Sequence, residues 1–119
     1  MIMKKIMTII ITVALAAILL AACGKPQGMS KETYNNGKKA LEIMDKYNDA
    51  DITKDEALSR LEDLETSLDN EAETLEDVIE KTNNTLVSTE IFFFISSLKG
   101  TGTESTYDIA ENLRGIIKR

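Results

Sequence analysis

The chain has 119 residues, with 20 Asp and Glu against 14 Lys and Arg, a formal net charge of −6, one cysteine and no histidine. So acidic a surface repels nucleic acid and anionic lipid headgroups, and no nucleic-acid partner is expected. The missing histidine and the single thiol exclude His-based acid–base catalysis, dithiol chemistry and the usual transition-metal sites.

Residues 1–22 have the three parts of a secretory signal. Lys4 and Lys5 supply a positive start, Ile6 to Leu20 is apolar apart from Thr8 and Thr12, and small residues follow. The apolar stretch Ile6 to Ala22 is 17 residues long, at the short edge of what spans a ~30 Å hydrocarbon core, so an uncleaved transmembrane helix is the alternative. At its end, Leu20-Ala21-Ala22-Cys23 with Gly24 behind it resembles a bacterial lipobox. Leu20 takes the large aliphatic position, and Ala21 and Ala22 take the small ones.

That resemblance implies diacylglycerol on the Cys23 thiol and cleavage just before it. The mature protein is then held on the extracytoplasmic face of the cell membrane. Two or more acyl chains hold stably, since each buried CH₂ contributes about 0.8 kcal/mol. With Cys23 consumed no disulfide can form, and the domain is stable through its core alone. Loss of residues 1–22 removes Lys4 and Lys5 and no acid, moving the formal charge from −6 to −8.

Three regions follow: the signal at 1–22, a lipidated N-terminus and linker at 23–29, and an acidic helical domain at 30–119. Gly24-Lys25-Pro26-Gln27-Gly28 reads as the linker, because Pro and Gly oppose regular structure, and extended it reaches ~20 Å. A first helix is expected from Ser30 to about Asn48, with Tyr34, Ala40, Leu41, Ile43, Met44 and Tyr47 on its apolar face. Asn35-Asn36-Gly37 weakens its start, and Asp49 to Ile52 makes a turn.

Thr53-Lys54-Asp55-Glu56 is a capping box, in which hydroxyl and carboxylate satisfy orphan amides reciprocally. Ala57, Leu58, Leu61, Leu64, Leu68, Leu75 and Ile79 then form a stripe spaced by three and four. The pattern weakens at Asp69-Asn70-Glu71, so this is either one long helix to about Lys81 or two helices with a kink, with continuity preferred, and a second break follows at Lys81-Thr82-Asn83-Asn84. In 85–99 the β-branched and aromatic residues favour a strand by propensity. The spacing of Ile91, Phe94, Ile95 and Leu98 favours a helix, and no partner strand is evident, so helix is preferred. After a loop at Gly100-Thr101-Gly102-Thr103, a last helix runs from about Glu104 to Lys118 with Ile109, Ala110, Leu113, Ile116 and Ile117 on one face. The expected fold is all-α, a small bundle of about four helices.

Five patterns invite reading as sites. Asp49, Asp51 and Asp55 suggest a calcium loop, but Lys54 stands at its glycine position and Arg60 at its bidentate glutamate, so a capped acidic turn is preferred. Ser96-Ser97-Leu98-Lys99 has the Ser-x-x-Lys spacing without its companion motifs. Gly100-Thr101-Gly102 begins like a phosphate loop but lacks the third glycine. Glu62, Asp63, Glu65, Glu73, Glu76, Asp77 and Glu80 form either the wet face of a helix or a dock for a basic partner. Phe92-Phe93-Phe94 either packs within the bundle or leaves an apolar contact patch.

Gly37-Lys38-Lys39-Ala40-Leu41 and Asp51 to Ala57 resemble small lipoproteins of low-GC Gram-positive bacteria, a resemblance that implies no activity. The expectation is a membrane-anchored surface lipoprotein acting as a helical protein-interaction module, with no enzymatic activity, cofactor or metal. A small-ligand or peptide-binding lipoprotein accessory to a transporter is the second reading, and the small domain counts against it.

Overall fold

A computed structural model describes residues 25–118. Over that range the chain forms four α-helices and no strand: α1 Lys31–Asn48, α2 Lys54–Ala72, α3 Val78–Leu98 and α4 Thr106–Ile117. Short connections fold successive helices antiparallel, giving an up-and-down bundle in which each packs on the next and α4 closes back onto α1. α1 and α3 also touch across the middle, which leaves α2 and α4 on opposite flanks.

Each helix starts on a side chain suited to the task. Ser30 accepts from Thr33 N at 3.0 Å, Thr53 from Glu56 N at 3.1 Å and Ser105 from Asp108 N at 3.1 Å. Asp77 Oδ1 accepts from Ile79 N and Glu80 N at 2.9 and 3.0 Å. Such a cap is typically worth ~1 kcal/mol. The capping box at Thr53 is made on its hydroxyl side, while the Glu56 carboxylate reaches forward to Arg60 at 2.6 Å.

Asp77 also explains one departure from expectation. The helix read as continuous to Lys81 ends at Ala72, and residues 73–77 connect it to a new one. Thr74 helps to stop α2, its N–H and hydroxyl both donating to Glu71 O at 2.8 Å. The break expected at Lys81-Thr82-Asn83-Asn84 lies inside α3. Asn side chains disfavour a helix interior by competing for backbone groups, but these two have other partners. Asn83 donates to Gly28 O at 2.8 Å and Asn84 to Leu68 O at 3.0 Å.

The segment 85–99 is helical through Leu98, as its period indicates. α1 runs unbroken through Gly37, which is buried where three helices meet. A Cβ there would stand 3.1 Å from Ile117 Cγ2 and 3.5 Å from Val87 Cγ1, so the bare glycine lets the end of α4 close onto α1.

The core is built from the expected stripes: Ala40, Leu41, Ile43 and Met44 of α1, Ala57, Leu61 and Leu68 of α2, and all five apolar residues named for α4. Tyr47 meets the buried Phe94 edge to face, with centroids 5.9 Å apart. Leu75 and Ile79 leave the stripe because they lie beyond the end of α2; Leu75 is half-buried and Ile79 exposed.

Candidate functional site

Leu20, Ala21, Ala22 and Cys23 lie outside the described residues. What the structure shows is how the chain just after them meets the bundle. Residues 25–29 carry no helix but are packed, with Pro26 buried and Met29 only 1% exposed. Met29 N donates to Pro26 O at 3.3 Å, and Lys25 Nζ donates to Met29 O at 2.8 Å. Gly28 adopts φ +83°, and a Cβ on it would fall 2.7 Å from Ile79 Cγ2, so both its conformation and its neighbour require glycine. Residues 25–29 thus form a strap laid against the start of α3.

Beyond the strap, Glu71 ties three helices together. It is 8% exposed, and its carboxylate accepts from Ser30 Oγ and from Thr33 Oγ1, the latter at 2.8 Å. Asn84, 2% exposed, donates from Nδ2 toward Leu68 O at 3.0 Å and toward Glu71 Oε1 and Thr33 Oγ1 at 3.3 Å each. The carboxylate thus sits by the N-terminus of α1, where the helix dipole favours negative charge.

The second distinctive region is the outer side of α3. Val78 is 76% exposed, Ile79 62%, Phe92 54% and Phe93 40%, whereas Phe94 is fully buried. The Phe92 and Phe93 rings lie 6.1 Å apart. Of the two readings of the three phenylalanines, both hold in part: one packs in the bundle and two form an apolar patch. Between Val78 and Phe92 lie the exposed Thr82 and Thr85, whose hydroxyls donate back to Val78 O at 2.9 Å and Lys81 O at 3.1 Å.

The other patterns do not assemble. Asp49 caps the end of α1, Ala50 turns through φ 64°, and Asp55 lies in the first turn of α2. Among the described residues, no group of three or more His, Cys, Asp or Glu is placed to hold a metal ion. Lys99 pairs with Glu62 at 3.4 Å, and Ser97 Oγ donates to Glu104 O at 3.1 Å. Gly100 at φ +81° and Gly102 form the turn that ends α3, with Thr101 N and Gly102 N both donating to Ser96 O.

The acidic run is not one helix face. Glu62, Asp63 and Glu65 belong to α2, Glu73 and Glu76 to the connector, and Asp77 and Glu80 to the start of α3. Burial pushes the Glu65 carboxyl up, helped by the Asp69 and Glu62 carboxylates and opposed by Lys99. Glu90, within α3, is raised by burial and then by the Glu104 carboxylate, against the Asn112 amide. Its Oε1 is buried without a partner. Arg114 makes a two-pronged contact with Asp45, at 2.9 and 3.2 Å, and that hydrogen bonding chiefly holds its guanidinium above its ordinary range.

Sequence reasoning missed Glu71, Asn84 and Met29 as structural residues, although a signal existed for two of them. Glu71 follows Leu68 by three on the α2 stripe, and Asn84 precedes Val87 and Ile91 on the α3 core face. A polar residue on an apolar stripe points to a buried network. No family model matches the chain, and neither a curated protein nor a solved structure does. Among the described residues, no helix is long and apolar enough to cross a membrane.

Proposed function

We propose that the protein is a surface lipoprotein, acylated at Cys23, whose helical bundle acts as a protein-interaction module on the outer face of the membrane. The single observation that carries the interaction half is the outer side of α3, which exposes two apolar pairs, Val78 with Ile79 and Phe92 with Phe93. Exposed apolar residues grouped on one element mark contact surfaces, whereas scattered ones do not.

The anchor half rests on the lipobox, and the strap sets how far the bundle stands from it. Cys23 stands two residues before Lys25, a span of at most ~7 Å. The strap end of the bundle therefore sits at the membrane surface rather than on a long leash.

Acyl labelling of the full chain in growing cells tests the anchor, with Cys23→Ala as the comparison. Label is expected on the natural chain alone, and label retained after Cys23→Ala removes the lipobox reading. Crosslinking in intact cells tests the module, with Phe92→Glu as the comparison. Adducts equal to background in both would end the interaction reading.

A further inference from the structure

We infer that the strap-end face around Val78 and Ile79 takes a cationic, amphipathic peptide segment of a partner protein; this rests on the interaction-module reading above and names the chemistry of its partner. What carries it is where the net charge lies. Residues 25–60 hold seven cations and seven anions, and residues 81–118 hold four of each. Residues 61–80 hold nine anions and no cation, so this one stretch supplies the whole net charge of the bundle. Charge that serves only solubility is interspersed over a surface. Here it is gathered on α2 and its junction with α3.

The fold brings much of it to the strap end. Asp69 lies near the end of α2, Glu73 and Glu76 in the connector, and Asp77 and Glu80 at the start of α3. All but the half-buried Glu80 are exposed, and among the described residues none of the five is paired with a lysine or arginine. A helix C-terminus favours cations, yet no basic residue stands in the last turn of α2. Of the neighbouring cations, Lys25 is engaged by Met29 O, and Lys81 adjoins the run without reversing its sign.

Within this acidic rim stand two aliphatic side chains in water. Val78 and Ile79 are largely exposed, and Leu75, three residues before Val78, is half-buried. A face kept only for solvation has no use for aliphatic residues on the first turn of a helix between carboxylates. An apolar contact rimmed by one sign of charge is the counterpart of an amphipathic segment of the opposite sign. A second copy is repelled here, and so is an anionic lipid surface, since both bring negative charge toward Glu73, Glu76 and Glu80. A segment bearing Lys or Arg beside apolar residues removes that repulsion and covers Val78 and Ile79 in one contact.

Fluorescence anisotropy of a labelled Leu/Lys peptide, patterned as an amphipathic helix, tests the face. The full chain is held in phosphatidylcholine nanodiscs, and the signal from protein-free nanodiscs is subtracted. The peptide should bind, and its Leu/Gln analogue should bind roughly tenfold more weakly. Neutralising the face by Asp69→Asn, Glu73→Gln and Glu76→Gln should also weaken binding roughly tenfold. The same loss of charge elsewhere, by Asp51→Asn, Asp55→Asn and Glu111→Gln, should leave it within about twofold. Val78→Ser with Ile79→Thr should weaken it roughly tenfold at an unchanged thermal midpoint.

No binding above the protein-free nanodiscs overturns the proposal. Equal loss in both neutralised chains does so as well, because it reports net charge alone. Full binding by the Val78→Ser, Ile79→Thr chain overturns it too, since the apolar pair then takes no part. Amide exchange of residues 75–80 that is slower in nanodiscs than in detergent before any peptide is added assigns the face to the bilayer and again overturns it. The module reading fails separately: if adducts in intact cells are lost on Phe92→Glu while the peptide stays silent, that reading stands and only the chemistry named here falls.

Discussion

The two ends of the bundle are held by different physics. At the strap end, Glu71 and Asn84 join α1, α2 and α3 through shared polar atoms. At the far end, Tyr47 and Phe94 pack ring against ring among apolar neighbours. The difference follows from helix length. α4 has 12 residues against 18 to 21 for the others, and it ends at Gly37. Below that level three helices and a strap must close the core with less apolar surface, and a satisfied polar cluster fixes their arrangement. Hydrophobic packing tolerates many registers, whereas a carboxylate with three donors tolerates few.

The largest effect should come from the far end. Phe94→Ala removes a fully buried ring and should lower stability by about 3–5 kcal/mol in denaturant unfolding. A loss below about 1 kcal/mol would mean that the ring packing is not what holds this end.

Next comes Glu71→Ala, which removes the acceptor of the Ser30 and Thr33 hydroxyls and one of those of Asn84 and should cost about 2–3 kcal/mol. The sharper version replaces the cluster together, as Thr33→Val, Glu71→Leu and Asn84→Leu. If the polar atoms secure register more than stability, that triple variant unfolds at nearly the natural denaturant concentration. A triple variant weaker than Glu71→Ala alone would reverse the contrast drawn between the two ends.

Gly28→Ala combines a strained left-handed backbone with a close approach to Ile79 and should cost about 1–2 kcal/mol. Its signature is local: amide exchange of Met29 and Ser30 accelerates while that of the α3 core does not change. Uniform acceleration would show that the strap is an integral part of the global fold.

The smallest effect concerns Glu90. Its carboxyl is raised from the ordinary value of 4.5 by burial and by Glu104. The folded chain therefore holds this proton at a pH where the unfolded chain has released it. Stability from this group rises as pH falls through the raised value toward 4.5 and is lost on going back to neutral. Glu90→Gln should be the more stable form at pH 7, with the difference shrinking toward pH 4.5; a difference independent of pH would assign the effect to packing.

Much of this fold was legible from spacing and caps. α4 is the clearest case, because its five apolar residues share one face and its remaining residues are mostly polar. The start of α2 was equally plain from Thr53. α3 was harder, since apolar residues lie all around it and neither propensity nor amphipathicity marks its ends. Its start is set by Asp77, a strong cap hidden within an acidic run. The asparagines that looked like a break are stabilised by partners distant in sequence, Gly28 and Leu68, which no local pattern reveals. The candidate surface was half legible: Phe92 and Phe93 stood out, but Val78 and Ile79 join them only once α3 is known to start at residue 78.

The strap has one more consequence, which follows if the proposed anchoring at Cys23 holds. Shedding of a tethered domain by proteolysis needs accessible, extended backbone between anchor and fold. Between Lys25 and Met29 the chain is turned, hydrogen-bonded and partly buried, with Gln27 its only fully exposed residue. If the chain is anchored at Cys23 as proposed, a protease would meet few accessible bonds there until the Gly28–Asn83 contact opens.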